Sequence, residues 1–82
     1  MIASFTGPAE KQYAKLPSSE RKKINRKIEL LELKPYAGKK LEGVFAEKRS
    51  LKAWPYRIIY WIGPKKKILY IVSILHRQGA YK

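Results

Sequence analysis

The chain of 82 residues carries 19 Lys and Arg against 6 Asp and Glu, a formal net charge of +13, and has no cysteine. A single domain over 1–82 is expected, burying about 60–65% of its unfolded surface. Disulfides and thiolate metal sites are excluded, which points to a reducing cytoplasm.

No apolar run approaches the roughly 18 residues of a membrane span. The start MIASFTGPAEK lacks the basic-then-apolar pattern of a signal peptide. No membrane partner is therefore expected. All six acids are Glu, and the cations are spread along the chain: ten against four acids over 1–41, nine against two over 42–82. The charge belongs to the fold rather than to a tail, and it favours a polyanionic partner, either nucleic acid or an acidic protein. Lysine enrichment for solubility or heat tolerance is the blander reading, but that strategy usually adds Glu alongside Lys.

In chain order, Ile2 to Phe5 is a short β-branched and aromatic run that predicts a first strand. Thr6-Gly7-Pro8 reads as a helix start, with Pro8 at the first helical position and Thr6 or Gly7 as cap. Ala9, Tyr13 and Leu16 form one apolar stripe, and Pro17 ends that helix. A second helix is expected from about Ser19 to Leu33, capped by Ser18 or Ser19, with Glu20 in its first turn and Lys34-Pro35 as its stop. Ile24, Ile28 and Leu31 make its inner stripe, widened by Leu30 and Leu33. Its outer face sets Lys22 over Arg26 and Lys23 over Lys27, like-charge pairs that cost a few tenths of a kcal/mol each. Such a face serves a partner or is simply solvated.

Pro35 to Gly43 reads as a loop, and Val44 to Lys52 as the next strand with Phe45 buried. The stretch Lys48 to Tyr60 reads as a β-hairpin with Ala53-Trp54-Pro55 between its arms, Pro55 fitting the start of the second arm. By strand alternation, Lys48, Ser50 and Lys52 share one side of the first arm, opposite Arg49 and Leu51. Tyr56, Ile58, Tyr60 and Ile62 share the core side of the second arm, which leaves Arg57, Ile59 and Trp61 on the other. A cation there can meet a ligand instead of being buried unpaired. Gly63-Pro64 with Lys65-Lys66 turns the chain. Ile68 to Leu75 is nearly all apolar and reads as a central strand delivering His76-Arg77 at its end, and the last five residues are expected to lie along the sheet. The predicted fold class is α+β: two N-terminal helices packed on one face of a small, mainly antiparallel sheet, order β-α-α-β-β-β, with the other face left available.

The helix pair AEKQYAKLPSSERKKINRKIELLELKP, then KKLEG, PYRIIY and SILHRQGAYK, resembles the RelE/ParE superfamily of bacterial and archaeal toxins over nearly the whole chain, with the RelE branch the closer match. Its most specific pieces are Tyr56-Arg57-Ile58-Ile59-Tyr60, and His76-Arg77 followed by Tyr81. The resemblance implies a small cytoplasmic toxin paired with an antitoxin, which should be acidic and partly disordered until bound. RelE-like members enter the ribosomal A site and cut mRNA there, whereas ParE-like members share the fold but act on DNA gyrase. A non-catalytic RNA- or ribosome-binding protein is a further alternative. The resemblance assigns Arg57 and Arg77 to the two site arginines, Tyr81 to the C-terminal aromatic position and Lys48 to the first of two strand lysines. The second lysine position holds Ser50, a departure for which Lys52, on the same face, is the candidate compensation. No cofactor, metal or small-molecule substrate is implied.

Cleavage of this kind can proceed by attack of the ribose 2′-OH on the neighbouring phosphate, leaving a 2′,3′-cyclic phosphate and a 5′-OH. The protein must supply orientation and charge stabilisation. Arg57 and Arg77 suit the second task because the guanidinium fork binds phosphate bidentately and stays charged; pairing with Glu42 or Glu47 is the structural alternative. Lys48 and Lys52 either divide base and phosphate duties or both hold charge. His76, the one histidine, is a candidate acid or base, although strand parity turns it away from Arg77. Tyr81 can stack on a base or donate its phenolic proton. Trp54 in the turn is the better stacking candidate for RNA and Trp61 the better packing residue. Arg49 and Lys82 complete the expected RNA contacts, and Glu47 is the nearest carboxylate that could serve as a base.

Overall fold

The computed structural model describes residues 1–43 and 47–76. The strand β1 (Ile2–Phe5) is followed by α1 (Gly7–Ala14) and α2 (Ser18–Leu33). A two-residue strand β2 (Lys39–Lys40), then β3 (Lys48–Ala53), β4 (Tyr56–Ile62) and β5 (Ile68–His76), complete the described elements. The five strands form one sheet in the order β1-β5-β4-β3-β2. Neighbours are antiparallel except β1, which runs parallel to β5. The α+β class and the helix-pair-then-strands order are as the sequence predicts; β2, inside the expected 35–43 loop, is an addition. The expected start of β3 at Val44 and the burial of Phe45 lie outside the described residues.

Both helices cover the same side of the sheet. Ala9, Ile24, Ile28 and Leu31 from the helices meet Ala53, Ile58, Tyr60, Leu69, Ile71 and Ile74 from the strands, all buried. Each large apolar side chain fully removed from water there contributes about 1.5–3 kcal/mol before entropy is counted. Leu33 does not widen the α2 stripe: it is 83% exposed, because at two residues past Leu31 it has rotated about 200° away from the inner face. The cap of α1 is as expected and that of α2 is not, and neither makes a side-chain capping bond. Thr6 does sit at the N-cap of α1 but sends its hydroxyl to Ile71 O and Val72 O, at 3.1 and 3.2 Å. For α2 the N-cap is Pro17, and Ser18 is already helical.

The alternation expected of the hairpin is the one observed. Register pairs Lys48 with Trp61, Ser50 with Ile59 and Lys52 with Arg57 on one side, and Arg49 with Tyr60, Leu51 with Ile58 and Ala53 with Tyr56 on the other. Ala53 belongs to β3, so the turn is shorter than expected: Trp54-Pro55 alone, joined by a cis peptide bond. Lys23 of α2 holds it, donating to Trp54 O at 2.7 Å while paired with Glu20. One of the outward cations of α2 is thus a brace for the hairpin tip. Opposite Ile59 and Tyr60 of β4 the register of β5 slips: Ile59 faces Ser73 but Tyr60 faces Ile71, which leaves Val72 as an extra residue. A bulge of this kind bends the strand and resets which side chains face each layer. α1 stabilises it from the covered side, since Ile74 N donates to Gln12 Oε1 at 2.7 Å.

Behind the hairpin, Tyr60 closes the core. Its hydroxyl donates to Pro35 O at 2.8 Å and accepts from Gly38 N at 2.9 Å. Burial pushes the Tyr60 phenol above its ordinary value of 10, against smaller lowering effects of the Gly38 hydrogen bond and the Arg49 charge. A raised native value means that the unfolded chain loses this proton first as the pH climbs. The stabilisation from the neutral phenol is therefore complete below pH 10 and is lost as the pH rises through the native value. The gap in melting temperature between wild type and Tyr60→Phe is expected to be constant from pH 7 to 9 and to shrink above about pH 10, a difference in which titration of the other tyrosines and lysines cancels.

Candidate functional site

The side of the sheet away from the helices carries three cross-strand rows. Lys52 (β3), Arg57 (β4) and Leu75 (β5) form the first; Ser50, Ile59 and Ser73 the second; Lys48, Trp61 and Tyr70 the third, continued onto β1 by Ser4. Directly paired residues on one face have Cβ atoms about 5 Å apart, and rows two residues apart along a strand are separated by about 7 Å. Lys39 of β2 faces Ser50 and adds a further cation at the sheet edge. The first row sets an ammonium directly against a guanidinium. Like charges so placed destabilise a sheet, and a bound polyanion converts that cost into attraction.

The second row contains a departure from ordinary packing. Ser50 is 7% exposed, and its buried hydroxyl has no hydrogen-bond partner among the described residues. Buried polar atoms are normally satisfied, which sets this position, between Lys48 and Lys52, apart from ordinary packing. Ser50→Ala removes an unsatisfied group and is expected to leave the melting temperature unchanged or slightly raised, by at most about 1 kcal/mol of stability. A clear loss of stability in a thermal melt would show that the hydroxyl is satisfied in the folded protein.

Other expected site residues are elsewhere. Arg49 lies on the helix side, donating from Nη1 to Gly38 O at 2.9 Å with its guanidinium 4.9 Å from the centre of the Tyr36 ring, and so secures the loop before β2. Strand parity shows its side of the sheet in the sequence; its partners, eleven and thirteen residues upstream, have no signal there. His76 pairs with Tyr56, on the covered side, and packs against that ring edge-on at 5.3 Å. It is thus on the other side of the sheet from Arg57. Trp54 is 63% exposed at the hairpin tip. Glu47 precedes β3 at the margin of the third row. Arg77, Tyr81 and Lys82 lie outside the described residues.

Sequence reasoning missed the stack of Trp61 on Tyr70, with ring centroids 5.3 Å apart and planes 29° from parallel. The two are nine residues apart, and pairing them needs the register of β4 against β5. It also missed how β1 is closed off: Glu32 of α2 accepts from Ala3 N at 2.9 Å through its carboxylate and from the N-terminal ammonium at 3.0 Å through its carbonyl. That blunts an edge strand that would otherwise invite pairing.

Residues 3–81 match the model of a family described as the ParE toxin of the type II toxin–antitoxin system parDE. Among solved structures, the chain is similar to the toxin–antitoxin complex RelBE2 from Mycobacterium tuberculosis, with 26% identity, a TM-score of 0.84, and coverage of 93% of this chain and 96% of that one. The YoeB/ParE toxin from Agrobacterium tumefaciens gives 20% identity, a TM-score of 0.81, and coverage of 93% and 98%. The isolated RelE toxin of E. coli gives 24%, 0.78, and coverage of 92% and 82%. At those identities the last two show the fold alone. No curated protein matches in sequence. No helix among the described residues is long and apolar enough to cross a membrane. A family match over almost the whole length, joined to this fold, makes the chain a member of the ParE-toxin family within the RelE/ParE superfamily: the toxin of a type II toxin–antitoxin system.

Proposed function

We propose that this toxin is a RelE-type endoribonuclease that cuts mRNA on the ribosome by 2′-OH attack. The observation that carries the reading is the Lys52–Arg57 pair, two cations directly opposite one another on the face away from the helices, flanked by Lys48 two rows away. The phosphate in flight calls for such an arrangement: as the 2′-oxygen bonds to phosphorus and the bond to the 5′-oxygen breaks, negative charge grows on the non-bridging oxygens. Arg57 grips those oxygens with its fork, and Lys52 adds charge from the facing strand. Lys48 holds a neighbouring phosphate. Arg77 and Tyr81 are assigned by the resemblance to complete the site, the first on the phosphate and the second on the leaving oxygen or a base. The 2′-OH proton passes to water as its oxygen bonds to phosphorus, and the 5′-oxygen takes a proton from water as it leaves. His76, on the far side of the sheet, takes no part.

The antitoxin partner follows from the type II family and from the similarity to RelBE2, a complex with its antitoxin. At +13 the toxin calls for an acidic one. The family model, however, is described by ParE, and Ser50 stands where the RelE pattern has lysine. Those two facts favour the second reading, a gyrase-directed toxin without chemistry. A translation extract separates them. The nuclease reading expects mRNA cut within codons when ribosomes are present and intact mRNA when they are absent. Intact mRNA in both, with gyrase stalled on DNA in a parallel assay, overturns it.

A further inference from the structure

We propose that the cleft beside the Trp61–Tyr70 stack is a nucleobase subsite, which takes the base of a nucleotide flanking the phosphate held at Arg57. The inference rests on the nuclease reading and extends it from phosphate chemistry to base recognition. The cleft has a volume of about 330 Å³ and is lined by Thr6, Glu47, Lys48, Trp61, Tyr70 and Val72. Its walls are mostly apolar, and Lys48 and Glu47 add one ammonium and one carboxylate to the lining. That composition suits a flat heteroaromatic ring with polar edges: a π-face for stacking, a carbonyl or ring nitrogen to accept from Lys48, and an exocyclic amine to donate to Glu47.

Its position makes the occupant a base of the same strand. Arg57 and Trp61 lie on one face of β4, four residues and therefore about 13 Å apart. That is too far for the base to share a nucleotide with the phosphate on Arg57, yet it is within a short run of single strand. The row between them holds Ser50, Ile59 and Ser73, an apolar side chain flanked by two serines. Trp61 and Tyr70 are already stacked on each other and only half-buried, so the platform is formed before any ligand arrives. The pair is on the side of the sheet away from the helices, in the same row as Lys48.

The test uses the full-length protein carrying Trp54→Phe, so that Trp61 is the sole indole. Two probes are compared: a 2′-O-methyl oligoadenylate pentamer, which cannot be cleaved by 2′-OH attack, and the same backbone with every base removed. Binding is read by anisotropy of a 5′-fluorophore and by Trp61 emission. The intact probe is expected to quench Trp61 and to bind at least about tenfold more tightly than the abasic one. Trp61→Leu is expected to lower affinity for the intact probe about tenfold while leaving the abasic affinity unchanged. Should that variant fail to fold by circular dichroism, Trp61→Phe is expected to show a smaller loss in the same direction. Binding that depends on Arg57 and on salt but is indifferent to the bases, or to residue 61, overturns the subsite and leaves the nuclease reading standing. Failure of the intact probe to bind overturns the subsite as well, while the nuclease reading is decided by the ribosome assay. Trp61 emission that responds to the antitoxin but not to RNA assigns the cleft to the protein partner, and also overturns the proposal.

Discussion

Arg57→Ala is expected to lower the rate of ribosome-dependent mRNA cleavage by about a hundredfold to a thousandfold, the usual effect of deleting one group aimed at developing charge. Its side chain leaves a half-buried position on the face away from the helices, so the melting temperature should move little. Arg57→Lys should recover only a fraction of the rate, because an ammonium cannot reproduce the planar bidentate fork. Arg49→Ala is the matched control. It removes an arginine eight residues away that faces the helices, and with it the bond to Gly38 O and the contact with Tyr36. The expected result is the reverse: stability lower by about 1 kcal/mol and cleavage unchanged. Equal losses of cleavage in the two variants would mean that the rate responds to total positive charge and not to the geometry of one face.

Gly38→Ala is expected to be the most damaging small substitution in the described part of the chain. A Cβ built on Gly38 falls 2.5 Å from Tyr60 Oη and 2.6 Å from Cε1. The Tyr60 ring is fully buried and fixed by two hydrogen bonds, so it cannot simply swing aside. Either the loop shifts, losing the Gly38 and Pro35 hydrogen bonds, or the ring is driven into Ile58 and its neighbours. The cost is about 3 kcal/mol, a large share of the stability of a domain this size, and a fall in melting temperature on the order of 15 °C. Tyr60→Leu, which vacates the space, should make the Ala substitution nearly harmless. The double mutant is then expected to be far less destabilised than the sum of the single changes. Simple additivity would show that the loop tolerates a side chain at position 38 without touching Tyr60.

The legible parts of this fold are those whose periodicity has one solution. Ile24, Ile28 and Leu31 repeat at helical spacing and lie on the buried side of α2. Tyr56, Ile58, Tyr60 and Ile62 alternate cleanly, so the side assigned to Arg57 followed without any knowledge of its neighbours; a slip of one residue would have put every one of them on the wrong face. The β5 run is different. ILYIVSIL is apolar at almost every position and carries no parity signal, and its bulge at Val72 depends on Thr6 and Gln12, which are more than sixty residues upstream. The Trp61–Tyr70 stack was hidden for the same reason. Short elements set by tertiary bonds, such as β2 and the Lys23 brace on Trp54 O, leave no local pattern. As for the site, the sequence showed which residues could hold phosphate, and the structure adds that Lys52 and Arg57 are direct partners while Arg49 and His76 are on the other side.

The most direct test is the chemistry of the cut itself, on ribosome-bound mRNA synthesised with one 2′-deoxyribose at the nucleotide 5′ to the cleavage site. With the natural ribose, the expected products are a 2′,3′-cyclic phosphate and a 5′-OH; with the deoxyribose, the strand should stay whole at that position. A strand that is still cut there, or an all-ribose mRNA that is never cut, would contradict an RNA phosphate activated for internal attack on the face of the sheet away from the helices.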